Sequence, residues 1–94
     1  MPAFALVWTH TFSRTARKFL RRHPDLVGLF EDVIEQLEID PYAPRLRLHP
    51  LKGKHRGKSA VSLTYSYRIV LILRIKAGAI VLLDVGSHDD AYGG

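Results

Sequence analysis

Two aliphatic runs near the C-terminal end, residues 67–75 and 79–85, are separated by little more than Ala77-Gly78. Apolar runs of this length, flanking a glycine turn, predict two strands joined in a hairpin. The first run is continuous rather than alternating, as in a strand covered on both faces. A lone hairpin is marginal in water and needs further strands or a helical layer against it. The upstream sequence offers both. Residues 59–65 alternate, with Val61 and Leu63 on one side, and residues 4–9 are short, apolar and contain Val7 and Trp8.

Between those strands the period changes. Phe12, Ala16, Phe19 and Leu20 recur at helical spacing, with Thr11 or Ser13 as the expected cap. The opposite face carries Arg14, Arg17, Lys18, Arg21 and Arg22. Pro24 is placed to start a second helix, where its missing N–H costs nothing, and Asp25 suits that helix's positive end. Leu26, Phe30, Val33, Ile34 and Leu37 form its apolar stripe, and Asp40-Pro41 ends it. Residues 42–57 read as a loop punctuated by Pro44, Pro50 and Gly53, with a short strand at residues 46–48. The predicted order is β-α-α-β-β-β. It implies a two-layer α+β domain spanning residues 1–94, a helical hairpin packed on a mostly antiparallel sheet.

Composition removes several function classes. There is no cysteine, so neither a disulfide framework nor a thiolate metal site can form. That suits a reducing cytosol, and a cytoplasmic location is expected. The longest apolar runs fall short of the roughly 20 residues a membrane span needs. The first residues lack a basic segment ahead of an apolar one, so no signal peptide is expected. No glycine-rich nucleotide fingerprint, serine-hydrolase elbow or His-x-x-x-His spacing occurs. No metal or cofactor is expected.

The net charge is +5, and its distribution is uneven. Asp25, Glu31, Asp32, Glu35, Glu38 and Asp40 follow one another without an intervening Lys or Arg. Arg45, Arg47, Lys52, Lys54, Arg56 and Lys58 then follow without an acid. One surface for a polyanion and one kept away from it would explain this pattern.

Four groups carry candidate chemistry. The basic run, with His55 among its cations and Gly53 and Gly57 between them, can approach and neutralise phosphates; its plain alternative is a solvated loop. His49 lies beside that run, and histidine as a residue type suits general acid or base work, though a lone histidine is more often structural. Arg68 interrupts an apolar strand. It either faces an open side of the sheet, where it can clamp a phosphate, or pairs with Asp84. Past the last strand, Gly86-Ser87-His88-Asp89-Asp90-Ala91-Tyr92 gathers an imidazole, carboxylates and a phenol. Such a place suits a site, and equally a polar turn.

A strand, a basic helical hairpin, Leu51-Lys52-Gly53, Tyr67-Arg68-Ile69-Val70 and Val85-Gly86-Ser87-His88-Asp89, in that order, resemble the RelE/ParE superfamily of toxins over nearly the whole chain. His49-Pro50-Leu51-Lys52-Gly53 and Gly86-Ser87-His88 look like elements of its YafQ branch. The resemblance implies a toxin of a type II toxin–antitoxin pair that enters the ribosomal A site and cuts mRNA without a metal. Attack of a ribose 2′-hydroxyl would leave a 2′,3′-cyclic phosphate and a 5′-hydroxyl. It implies catalytic roles for His49, His88 and Arg68. Lys52, Lys54, His55, Arg56 and Lys58 would bind substrate, and Tyr92 would stack on it. It also implies a cognate antitoxin, acidic enough to cover the basic face. The sequence departs from the branch at two positions, where a histidine and an aspartate are replaced by Ser62 and Ser66. Two other functions fit the same resemblance: inhibition of DNA gyrase, as in the ParE branch, or binding of RNA or a protein without cleavage.

Overall fold

The computed structural model describes residues 3–87. Strand β1 (Ala5–Trp8) leads into helix α1 (His10–Arg22), a 3₁₀ turn at Pro24–Leu26 and helix α2 (Val27–Ile39). A second 3₁₀ turn (Pro44–Leu46) precedes β2 (His49–Pro50), and a third (Gly53–His55) precedes β3 (Ser59–Ser62). The hairpin of β4 (Tyr67–Arg74) and β5 (Ala79–Ser87) completes the described chain. The sheet order is β1-β5-β4-β3-β2, antiparallel throughout except for the parallel pair β1–β5. The expected α+β class and helical hairpin are present. No described helix is long and apolar enough to cross a membrane.

Both helices lie over one sheet face. Phe12, Ala16 and Phe19 from α1 and Phe30, Val33 and Leu37 from α2 pack on Val61, Ile69, Leu71, Ile80, Leu82 and Val85. These sheet positions pair across strands, Val61 with Ile69 and Ile69 with Val85, so the register itself builds a continuous apolar floor. The middle of β4 is buried on both faces, at Ile69, Val70 and Leu71, but Ile72 and Leu73 are only half-buried.

Several local expectations change. The cap of α1 is Thr9, not Thr11 or Ser13. Its Oγ1 accepts from the Phe12 N–H at 3.1 Å and donates to the Leu82 carbonyl at 2.7 Å. One hydroxyl thus starts the helix and ties it to β5, a tertiary bond that spacing along the chain does not reveal. Pro24 opens a 3₁₀ turn, and α2 itself starts at Val27. The short strand falls at His49–Pro50 rather than residues 46–48, because Leu46 is buried in the core within a 3₁₀ turn and Arg47 is left-handed (φ 52°). An extended run cannot pass through a left-handed residue. Strand β3 ends at Ser62, where Leu63 and Thr64 both donate to the Tyr67 carbonyl and close the turn into β4. Strand β5 continues to Ser87.

Candidate nucleic-acid site

The sheet face away from the helices has its own rows. His49 pairs with Ala60, Ala60 with Val70 and Val70 with Asp84. The next row is Ser62, Arg68 and Gly86. Residues directly opposite one another share a face, and alternate residues along a strand return to it. His49 and Arg68 therefore occupy the same side, two strands and one row apart. Spacings of about 4.8 Å between strands and about 6.8 Å per row put their Cα atoms roughly 12 Å from each other. Ala60 and Ser62, on the intervening β3, keep the floor between them low.

Arg68 lines an open cleft of about 560 Å³ with Arg45, Arg47, Ser62, Thr64 and Tyr65. Each arginine is positioned differently. Arg68 is fixed by the β4 ladder. Arg45 sits in the 3₁₀ turn whose next residue, Leu46, is buried in the core, and its guanidinium donates to the Gln36 side chain of α2 at 3.3 Å. Arg47 is the one non-glycine residue with positive φ among those described. That conformation costs on the order of 1–2 kcal/mol in a residue with a side chain. Strain of this kind persists where surrounding structure holds it, here the buried Leu46 on one side and β2 on the other.

The strained residue also orients His49. The His49 Nδ1 lies 2.9 Å from the Arg47 carbonyl. A carbonyl oxygen only accepts, so Nδ1 carries the proton in this bond. In the neutral ring Nε2 then holds the lone pair, on the far edge of an exposed imidazole. That is the arrangement of a general base held by its other nitrogen.

The predicted substrate-binding residues of the basic loop lie elsewhere. Lys52, Lys54, His55, Arg56 and Lys58 belong to the loop between β2 and β3, closed by the Leu51 N–H donating to the Lys58 carbonyl at 2.9 Å. Gly53 and Gly57, at φ 66° and 92°, make its reversals possible. The loop leaves the sheet at the Ser59 end of β3, whereas Arg68 pairs with Ser62 at the other end. None of its residues lines the Arg68 cleft. In the register Arg68 stands opposite Gly86 and Asp84 opposite Val70, so Arg68 and Asp84 are diagonal neighbours on adjacent strands. Tyr65 was not foreseen. It is a fully exposed aromatic in the β3–β4 turn, and no periodicity or motif marks it. Two predicted residues, His88 and Tyr92, lie outside the described residues. Among the described residues no cluster of three or more His, Asp or Glu could hold a metal.

No family model and no curated protein sequence matches the chain. Solved structures do. YafQ from E. coli is 15% identical with a TM-score of 0.79, aligned over 96% of this chain and 99% of its own. A YoeB/ParE toxin from Agrobacterium tumefaciens is 22% identical with a TM-score of 0.74, over 90% and 99%. The E. coli DinJ-YafQ toxin–antitoxin complex matches at 16% identity and a TM-score of 0.78, over 97% and 99%. At such identities backbone architecture is what is shared, and over nearly its full length this chain has the fold of the RelE/ParE toxins.

Proposed function

We propose that this chain is the toxin of a type II toxin–antitoxin pair and a ribosome-dependent mRNA endoribonuclease that works without a metal. The observation that carries the reading is the placement of Arg45, Arg47 and Arg68 around one cleft, with His49 anchored to the Arg47 carbonyl on the same sheet face. Transesterification of RNA needs a base for the 2′-hydroxyl, an acid for the leaving oxygen and cations for the dianionic transition state. In this scheme the His49 Nε2 takes the 2′-hydroxyl proton as the 2′-oxygen bonds to phosphorus. The arginines hold the non-bridging oxygens. The P–O5′ bond breaks, and His88 supplies a proton to the 5′-oxygen. The products are a 2′,3′-cyclic phosphate and a 5′-hydroxyl. The fold shared with the toxin of a DinJ-YafQ complex supports an antitoxin as the protein partner.

The experiment is inducible expression in a bacterium, with growth followed and mRNA 5′ ends mapped, for wild type, His49→Gln and His88→Ala. Growth arrest with new in-frame 5′ ends is expected. Loss of a general acid or base should lower cleavage about 10²–10⁴-fold in each variant. Wild-type cleavage by His49→Gln would remove that residue from the mechanism. A second reading, binding of RNA without cleavage, draws on Ser62: it lines the cleft where the YafQ branch carries a more reactive residue. Arrest with intact messages and an RNA-bound toxin would favour it.

A further inference from the structure

A second cleft opens on the helix side of the same sheet end. Lys18 and Arg22 of α1, with His23 just beyond it, face Tyr67 and the β5 segment from Asp84 to Ser87 across about 510 Å³, and the one acid there among the described residues, Asp84, accepts a hydrogen bond from the Val85 N–H at 2.9 Å. Its wall is aromatic. The His23 ring lies 4.6 Å from Phe19 and 4.8 Å from Tyr67, and those two meet edge-on at 5.0 Å. Phe19 is buried, while His23 and Tyr67 are part-exposed, so a ring surface reaches the cleft. The opening exists because β1 ends at Trp8, opposite Leu82, and leaves the last residues of β5 without a β1 neighbour.

Two further observations link this cleft to a polyanion. Arg14, Arg17, Lys18, Arg21 and Arg22 are exposed on α1, spaced three and four apart, and the helix contains no acid to offset them. Like charges at this spacing oppose helix formation. A partner that neutralises them removes that cost. Tyr67 and Arg68 are consecutive in β4, so their side chains leave opposite faces of the sheet. Tyr67 lines the aromatic cleft and Arg68 the arginine cleft. The two basic clefts are back to back across one sheet end.

We propose that Lys18, Arg22, His23 and Tyr67 form a second nucleotide subsite, which takes the continuation of a single RNA strand gripped in the arginine cleft. A base stacks on the His23–Tyr67 surface while Lys18 and Arg22 hold adjoining phosphates. Aromatic stacking and cations together are the usual grip on single-stranded nucleic acid. The inference rests on the reading of the substrate as RNA.

The test is fluorescence anisotropy of labelled oligouridylates, a dinucleotide and an octanucleotide, titrated with the full chain across a salt series. A Lys18→Ala/Arg22→Ala double variant, His23→Ala and His23→Phe are compared with wild type, with melting curves to establish folding. The octanucleotide should bind at least about fivefold more weakly to the double variant and to His23→Ala. The salt slope should fall by roughly 1.4 in the double variant, two phosphates at about 0.7 each. His23→Phe should restore binding, and the dinucleotide should respond to none of the changes. If His23→Ala melts early, the double variant carries the test, since its residues are exposed. Octanucleotide affinity and salt slope unchanged in the double variant overturn the subsite, as does failure of wild type to bind the octanucleotide. RNA binding that responds as described, with no new mRNA 5′ ends when wild type is expressed, leaves the subsite standing and removes the endonuclease reading. New in-frame mRNA 5′ ends on expression of wild type, with octanucleotide binding insensitive to both sets of changes, do the reverse.

Discussion

The arginine cleft and the glycine loop both take cations from one basic stretch of sequence, the cleft adding Arg68 from β4, yet they are built differently. In the cleft, Arg68 hangs on a strand ladder, Arg45 precedes a core leucine and Arg47 is held in a strained conformation. In the loop, Lys52, Lys54 and Arg56 are exposed on a short segment closed by its own backbone hydrogen bonds and two left-handed glycines. Rigid elements can aim a cation at one phosphate oxygen, and an exposed cation on a loop without an anchor in the core mainly raises local potential. The difference teaches that charge density marks a candidate surface, while attachment to the core decides which charges can act together.

The largest test of that contrast is Leu46→Ala. Leu46 is buried and anchors the turn that carries Arg45 and Arg47. Its truncation should cost about 2–5 kcal/mol, read by denaturant unfolding. RNA affinity should fall under conditions where the variant is still folded, because the turn loses its seat. A stable variant with full affinity would show that the core does not position these arginines.

Arg47→Gly separates strain from charge. Glycine adopts positive φ without steric cost, so relief of the left-handed strain can raise stability by up to about 1 kcal/mol, partly offset by the greater freedom of the unfolded chain. Cleavage should fall nonetheless, since the cation is gone. A melting temperature several degrees above wild type with reduced activity would fit the cleft account. Unchanged activity would place Arg47 outside the site.

The smallest effect is expected in the loop. Lys54→Ala/Arg56→Ala should leave stability within about 0.5 kcal/mol, as for exposed substitutions generally. It should weaken RNA binding and lower the salt slope by at most about 1.4, with the rate on bound substrate kept. Single-turnover cleavage at saturating enzyme checks this. A fall in that rate comparable to the loss of His49 would move the loop into the reacting centre and erase the contrast.

Much of the fold was legible because its signals are local. Asp40-Pro41 ends the second helix through what proline forbids to the residue before it. Gly78 supplies the positive φ, 63°, that the β4–β5 turn needs. The apolar stripes at Phe12, Ala16 and Phe19, and at Phe30, Val33 and Leu37, follow helical periodicity alone. Arg68 in its apolar strand and His49 beside the basic run stood out by type and place.

By itself, then, the sequence determined the helical hairpin, the β4–β5 hairpin, the segregation of acid from base, and the singling out of His49 and Arg68. Tertiary structure alone decided that β1 runs parallel beside β5, that Thr9 rather than Thr11 or Ser13 caps α1, and that β2 begins at His49. It also decided that Lys54 and Arg56 stand at one end of β3 while Arg45, Arg47 and Arg68 gather at the other. The physical reason is separation along the chain. A turn, a cap or a stripe is set by residues a few positions apart, whereas convergence of charges depends on strand register, which forms between segments that only the packed core brings together.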